Sequence, residues 1–394
     1  MGGDSSLGQL QPDYDTWYSI YQKINSTTDQ NFFGLTCVTF RHIQNSSCKS
    51  LKLRCRNFHS IIDSSTIHKL LNRHTQLETL TLGCHDCDSC EHVTYSCLTP
   101  LQKYGSTLHS LYLDRCVKIT DIELIFIASA CRLLSVISLS FTSVSDPGLK
   151  ILSKSCKFLK DVNLVHCESI TDNGVFFLNQ NCRQLRSLRV SCCRNITGVG
   201  FKNCSPTLAC LDAYECNLDS RAVSRIVSGG DLECLNIGVN PPPINYERPL
   251  VVFKPDCLTF ASKLKYLNVS SCSFADDDVI VKISRGCPLL QEWNLTDCNT
   301  IGITGWESIG LYCQNLETIH VGFCVKLCDR GLLCIVDGCK RLSVIYIEKS
   351  RNLLEGIGLF RLQREDVEIK PRLSWKHASI WAFKAFKKFE ERGH

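Results

Sequence analysis

The hydrophobic positions of this chain recur as a phrase of the form Leu-x-x-Leu-x-Leu, whose first leucine returns every 23 to 32 residues. Inside the phrase, apolar and polar residues alternate, and this pattern predicts a short strand. Behind it, apolar residues lie three and four positions apart, which predicts a helix. The eleven phrases open at Leu77, Leu108, Leu134, Leu159, Leu185, Leu208, Leu232, Leu264, Leu290, Leu316 and Leu342.

A regular period of this length indicates a solenoid, because each strand–helix unit buries its apolar face only by stacking on its neighbours. The sequence therefore predicts an α/β horseshoe with parallel strands on the inside and helices on the outside. Polar residues such as Thr120 and Asp121 fall between strand and helix, where they can cap the helix, and Asp276 to Asp278 occupy the same place. An open solenoid favours a binding surface, so we predict no catalytic residues and no enzymatic activity.

Many of the 27 cysteines recur at two places in the repeat, seven of them after the strand and six at the end of the helix. A cysteine that recurs at one structural position is expected to be a small buried hydrophobe rather than half of a disulfide. The segment CHDCDSCEH holds Cys84, Cys87, Cys90 and His92, which are zinc-ligand types at short spacing. Because no second pair with clear spacing accompanies them, we favour a cysteine-rich loop and predict no metal and no cofactor.

The charge of the chain is nearly balanced outside its last segment. The net charge is +5, and residues 370–394 alone carry seven Lys or Arg and two Glu. This balance predicts that the repeats carry no basic face of the kind expected of a nucleic-acid-binding protein. The sequence begins without the apolar core of a signal peptide and holds no run of apolar residues long enough to span a bilayer, so we expect a cytoplasmic or nuclear location.

Residues 10–47 precede the repeats and have a different pattern. Trp17, Ile20, Tyr21 and Ile24 have helical spacing, and a second apolar helical set contains Phe33, Leu35, Cys37, Phe40 and Ile43. A helical module of this size holds little core alone. We expect it to pack on a partner, on the first repeats, or on both.

This module resembles an F-box, and the repeats over residues 48–362 resemble the cysteine-containing leucine-rich repeats (LRR) of plant F-box/LRR proteins. The F-box match rests on Pro12, Ile20, Ile24, Asp29, Leu35, Cys37 and Phe40. Gln11 and Phe40 stand where the F-box usually has Leu and Trp. The resemblance implies a non-catalytic substrate receptor of an SCF-type ubiquitin ligase, which binds a Skp-type adaptor and, through it, a cullin. It implies adaptor-binding roles for Pro12, Ile20, Ile24, Leu35, Cys37 and Phe40.

The target of such a receptor is expected on the concave face, because strand residues between the leucines point away from the core. Aromatic and arginine side chains are frequent interface anchors, although any single one can be an ordinary solvated strand residue. The candidates are Tyr112, Arg189, Tyr214, Tyr266, His320 and Tyr346.

Two alternatives to the receptor remain. One is an LRR scaffold whose F-box no longer recruits an adaptor, and the other is a small-molecule sensor on the same face. Two segments depart from the repeat. The insertion at 238–263 contains Pro241 to Pro243 and is either a loop that contacts the target or a ligand, or a tolerated surface loop. The basic aromatic tail at 363–394 is either a cap of the solenoid or an amphipathic helix that touches a membrane surface or a partner.

Overall fold

The strands of this protein form one parallel sheet in which spatial order follows chain order. The computed structural model describes residues 14–24, 27–53, 63–83, 90–202, 204–219, 221–227, 231–239, 261–348, 353 and 356–371. Its thirteen strands are β1 (Ser50–Lys52), β2 (Thr79–Thr81), β3 (Ser110–Tyr112), β4 (Val136–Ser138), β5 (Asp161–Asn163), β6 (Ser187–Arg189), β7 (Cys210–Asp212), β8 (Cys234–Asn236), β9 (Tyr266–Asn268), β10 (Glu292–Asn294), β11 (Thr318–His320), β12 (Val344–Tyr346) and β13 (Glu368–Lys370).

Helices connect the strands and cover one face of the sheet. Three of them, α1 (Tyr14–Gln22), α2 (Thr27–Thr36) and α3 (Val38–Ser47), form the amino-terminal module. The others are α4 (Ser64–Arg73), α5 (Tyr95–Leu98), α6 (Leu101–Tyr104), α7 (Asp121–Ala130), α8 (Asp146–Ser155), α9 (Asp172–Asn181), α10 (Ala222–Val227), α11 (Asp277–Gly286), α12 (Ile303–Tyr312), α13 (Asp329–Gly338) and α14 (Gly356–Gln363). We call the sheet face away from these helices the concave face.

The predicted leucine-rich-repeat solenoid is confirmed, and each of the eleven phrases supplies one strand. The middle leucine of the phrase, such as Leu111 or Leu188, is fully buried and stacks on its equivalent in the next strand. One continuous apolar core runs from Ile67 to Val367. Two strands escaped the sequence analysis, β1 and β13, because Cys48 and Asp366 replace the leucine that opens the phrase.

Within the described residues, the repeat after β6 lacks an α-helix, and the amino-terminal module has one helix more than the sequence predicts. After β6 the helix is reduced to a single 3₁₀ turn at Val199–Phe201, which follows Gly198 at a φ of +94°. In the module, the sequence groups Phe33 to Ile43 as one helical set, whereas the structure divides them into α2 and α3 at Cys37. Cys37 is extended there, and its sulfur accepts a hydrogen bond from the Phe40 N–H at 3.4 Å.

The recurring cysteines are free and buried, as predicted, but they also donate hydrogen bonds between repeats. Among the thiols that follow the strands, those of Cys167, Cys193 and Cys216 each donate to a backbone carbonyl of the preceding repeat at 3.1 Å. At the helix ends, burial raises the pKa of Cys156 and Cys182 to about 12. Such thiols stay protonated and are poor nucleophiles.

A ladder of aspartates joins the amino-terminal ends of the helices. In α8, Asp146 accepts hydrogen bonds from the backbone N–H and the hydroxyl of Thr171, at 2.9 and 2.6 Å, and from the Gly174 N–H at 3.1 Å. Asp121, Asp172, Asp277 and Asp329 make the equivalent contacts to the next repeat. The polar residues that the sequence predicts to be caps thus connect one helix to the next as well.

We predict that Asp146→Ala destabilises the protein by about 1–3 kcal/mol, because three donors of the next repeat lose their acceptor. Asp278→Ala is the matched control, since Asp278 is an exposed carboxylate in the first turn of α11. Thermal and urea unfolding followed by circular dichroism measure the difference. Equal effects of the two substitutions would show that the ladder contributes nothing beyond a favourable charge near the helix terminus.

Candidate functional site

An aromatic cluster organises the amino-terminal module. The Phe40 ring stacks on Phe33 with centroids 4.1 Å apart and an interplanar angle of 9°, and it contacts Trp17 at 4.6 Å. Tyr21 packs on the other side of the cluster, 5.3 Å from Phe33. Trp17 and Tyr21 belong to α1, Phe33 belongs to α2 and Phe40 belongs to α3. The contacts among these rings therefore hold the three helices in place relative to one another.

The module also exposes large apolar side chains. Phe32 and Leu35 are 63% and 68% exposed, and Val38, at the start of α3, is 81% exposed. Phe32 and Leu35 are three residues apart on α2 and therefore share one side of that helix. With Ile20 of α1, which is 41% exposed, these residues define the apolar module surface.

The predicted adaptor-binding residues divide between this surface and the interior of the module. Ile20, Leu35 and Cys37 are exposed, whereas Phe40 belongs to the aromatic cluster. Ile24 is half-buried, and its carbonyl accepts a hydrogen bond from the Gln30 amide at 2.8 Å. Pro12 lies outside the described residues.

The sequence analysis missed Phe32 and Val38. A signal was present in the consecutive pair Phe32-Phe33, since adjacent residues of a helix point in different directions and only one ring can enter a small core.

Polar contacts attach the module to the solenoid. The Arg73 guanidinium of α4 donates to the Asn45 side-chain oxygen of α3 at 2.7 Å, and the neighbouring His74 ring lies 3.4 Å from the Asn45 carbonyl. Burial lowers the pKa of His74. The module therefore packs on the first repeats, which agrees with two of the three expected arrangements.

The six predicted target-binding residues lie on or beside the concave face with unequal exposure. Tyr112, Arg189 and Tyr346 are half-buried at the ends of β3, β6 and β12. Tyr214, Tyr266 and His320 are only 6%, 5% and 3% exposed. The first three candidates are accessible, whereas the other three pack among their neighbours.

At the carboxyl-terminal end, the concave face carries a row of interacting side chains. The His320 ring stacks on Tyr346 at 4.3 Å with an interplanar angle of 3°, and its Nε2 lies 3.2 Å from the Glu292 carboxylate. The Lys370 ammonium lies 6.0 Å from the Tyr346 ring centroid and 2.8 Å from Glu368. The row brings aromatic, acidic and basic groups together across β10 to β13.

Buried polar residues occupy the concave side of the amino-terminal and middle repeats. The Asp114 carboxylate accepts hydrogen bonds from the hydroxyls of Ser138 and Ser140. On β7, Asp212 accepts one from the Asn236 amide at 2.8 Å, and burial raises the pKa of the Asp212 carboxyl. Side-chain ladders of this kind fix the face in one arrangement before any partner binds.

A stack along the rim of the sheet was not predicted. The Arg115 guanidinium lies 4.3 Å from the Phe141 ring centroid, and Phe141 stacks on His166 at 4.3 Å and 21°. All three residues have a positive φ near +60°, which costs a non-glycine residue about 1–3 kcal/mol. Backbone hydrogen bonds of 2.7 to 2.9 Å from each N–H to the next repeat hold this conformation.

The weaker sequence signals yield no further site in the described residues. Cys84 and Cys87 lie outside them, Cys90 is buried, and no group of three metal-ligating side chains occurs in the described ranges. Most of the insertion, 240–260, and the tail from 372 onward also lie outside them. Among the described helices, none is long and apolar enough to cross a membrane.

Comparison with known proteins establishes the family. F-box/LRR-repeat protein 12 of Arabidopsis thaliana is 45% identical over 284 residues, which cover 70% of each chain. The chain belongs to the F-box/LRR-repeat family. A family model described as "Leucine Rich repeat" matches residues 155–178, a span that contains β5 and most of α9.

Two further matches are more distant. F-box/LRR-repeat protein 4 of Bos taurus is 23% identical over 308 residues, which span 70% of this F-box/LRR chain and 44% of the bovine protein. A solved yeast structure titled as a Rad7 and Elc1 complex covers 91% of this chain and 93% of its own, with 15% identity and a TM-score of 0.48. That degree of structural likeness carries no argument about function.

The buried Asp212 gives a pH-dependent prediction. Its pKa is raised in the folded state, so folding is not penalised below the ordinary aspartate pKa, where both states hold the proton. As the pH rises from that value to the raised one, the folded protein loses stability, because the carboxyl of the unfolded chain ionises while the buried carboxyl keeps its proton.

We therefore predict that Asp212→Asn, which keeps an oxygen acceptor for Asn236, raises the melting temperature at neutral pH. The gain should shrink as the pH falls to about 4, near the ordinary aspartate pKa. Melting curves across this pH range test it, with Asp278→Asn as an exposed control. A variant that is less stable than the parent at neutral pH would contradict the prediction.

Proposed function

We propose that this protein is the substrate-recognition subunit of an SCF-type ubiquitin ligase, in which the F-box module binds a Skp-type adaptor and the concave face binds a target protein. The observation that carries the proposal is the apolar module surface of Ile20, Phe32, Leu35 and Val38. Large side chains exposed together on a small module are typical of a binding surface. Membership of the F-box/LRR family supports an adaptor as the occupant.

The receptor performs no chemistry in this proposal. Its contribution is positional, because one surface of a single chain binds the ligase and another binds the target, which raises the effective concentration of the target at the ligase. The hydrogen bonds between α3 and α4 support this division, because they hold the module on the first repeats. The target-binding residues proposed on the concave face are the accessible Tyr112, Arg189 and Tyr346.

The adaptor interaction is tested by substitution on the apolar module surface. We predict that Leu35→Asp or Val38→Asp weakens binding of a purified Skp-type adaptor about 10- to 100-fold. Each substitution removes an apolar side chain that the bound adaptor would cover, and such burial contributes about 1.5–3 kcal/mol. Titration calorimetry measures the affinity. Ile122→Asp is the matched control, since Ile122 of α7 is 68% exposed but lies in the solenoid.

Two results would contradict the adaptor proposal. One is the absence of measurable adaptor binding by the parent protein, which would favour the LRR scaffold with a non-recruiting F-box. The other is an equal loss of affinity in the Ile122 variant, which would place the effect in the fold rather than in the module.

The two surfaces can be separated in cells. We predict that proximity labelling with the Leu35→Asp variant loses the adaptor and cullin but keeps the target, because the concave face is unchanged. The double variant Arg189→Glu/Tyr346→Ala should show the reverse, since it removes a cation and an aromatic anchor. If labelling of the target persists in the concave-face variant and is lost in the Leu35→Asp variant, the assignment of target binding to this face is wrong.

A further inference from the structure

A cluster of cations lies along one edge of the solenoid, where the helices return to the strands. Six repeats in the described part of the chain make the same four-residue turn there, from a cysteine that ends the helix to the leucine that opens the phrase; these cysteines are Cys131, Cys156, Cys182, Cys287, Cys313 and Cys339. Backbone hydrogen bonds close the turn, from Leu134 to Cys131 and from Leu185 to Cys182 at 3.3 and 3.1 Å. The two central residues of the turn project outward.

In three consecutive repeats the first central residue of this turn is basic. Arg132, Lys157 and Arg183 occupy it, and all three are exposed. Two further exposed cations, Lys160 and Arg186, lie at the start of the adjoining strands, where the Arg186 N–H donates to the Lys160 carbonyl at 2.8 Å.

The second central residue adds apolar surface between the cations. It is Leu133 in the first of these turns and Phe158 in the next, with exposures of 42% and 49%. We call these two residues and the five cations Arg132, Lys157, Lys160, Arg183 and Arg186 the basic edge.

The protein's own carboxylates leave most of this charge unpaired. Within the described ranges, no salt bridge involves Arg132, Lys157, Lys160 or Arg183. The nearest acidic residue along the chain, Asp161, is a half-buried strand residue of β5.

Cations at the start of strands farther along the solenoid are paired with carboxylates. Lys49 pairs with Glu78 at 2.9 Å between β1 and β2, and Lys265 pairs with Glu233 at 2.6 Å between β8 and β9. The unpaired positive charge of the basic edge therefore does not continue into those repeats.

Favourable interaction with the helix dipole does not explain the cluster by itself. Cations near helix carboxyl termini are stabilising, and Lys154 in the last turn of α8 fits that account. The equivalent turns after α11 and α12, however, carry Pro288 and Gln314. The repeat folds without the cations, so their grouping in three neighbouring repeats needs another reason.

We infer that the basic edge is a docking surface for an acidic polypeptide segment that carries apolar side chains between its carboxylates. The cations attract the carboxylates of such a segment, and Leu133 and Phe158 offer apolar surface to its apolar side chains. Three neighbouring strands span only about 10 Å, which suits a short peptide. Single-stranded nucleic acids instead use a basic groove that tracks about 4–16 nucleotides per site.

This surface is distinct from the module and from the concave face, so the inference does not rest on the proposed ligase function. Loss of adaptor binding in a module variant and loss of peptide binding in an edge variant are independent results.

The test uses the full chain and a fluorescein-labelled peptide of alternating glutamate and leucine. Fluorescence anisotropy at low salt should show saturable binding, weakened by added NaCl because the contacts are exposed ion pairs. We expect Lys157→Glu to weaken binding about fivefold and Lys157→Glu/Arg183→Glu more than about tenfold.

Matched controls use the same turn elsewhere in the solenoid. Lys340→Glu changes the equivalent exposed lysine after α13, and it should leave peptide affinity unchanged. Phe158→Ser should weaken binding, whereas Leu289→Ser, at the same position of a later turn and 43% exposed, should not.

Three outcomes would overturn the inference. The first is the absence of saturable peptide binding, and the second is an equal loss with Lys157→Glu and Lys340→Glu. The third is tighter, Lys157-dependent binding of oligodeoxythymidine or of phosphatidylserine vesicles, since either would assign the edge to a different class of partner.

Discussion

The whole structure depends on the equal register of neighbouring strands. Each strand pairs with the next through equivalent residues, as Leu111 pairs with Ile137 and Leu188 with Leu211. With strands about 4.8 Å apart, every position of the repeat meets its own equivalent above and below. A residue type that suits this stacking therefore recurs at the same position in several repeats.

The cysteine and aspartate ladders are direct consequences of this stacking. A cysteine after the strand is small enough for the core, and its thiol reaches a carbonyl of the preceding repeat, as Cys193 does. An aspartate at the first turn of a helix, such as Asp146, satisfies donors at the start of the next helix. Because the helix termini and strand ends would otherwise leave buried polar groups without partners, these two residues help the leucine core to hold the repeats in register.

Stacking also explains how one scaffold separates several surfaces. Side chains at the ends of strands β3, β6 and β12 project onto the concave face, whereas the turns that precede the strands project along the edge. Neighbouring repeats that share a residue type at one of these positions produce a continuous row, such as the aromatic and charged row at β10–β13 or the cations of the basic edge. The module adds a third surface that does not follow the repeat, since its three helices are fixed by the cluster around Phe40.

The sequence alone determined the parallel solenoid, the strand position of each of the eleven leucine phrases, the burial of the cysteines and the capping role of the aspartates. These features could be predicted because the same local pattern recurs in many repeats. Its interpretation does not require knowledge of contacts between residues that are distant in the chain. The resemblance to an F-box likewise depended on local motif residues. Only the tertiary structure decided that α2 and α3 divide at Cys37, that Phe40 turns inward while Val38 is exposed, and that Tyr214, Tyr266 and His320 are buried on the concave face. The exposure and the partners of a side chain depend on residues 20 to 30 positions away in the chain. The local sequence pattern therefore does not show which of two adjacent side chains is buried.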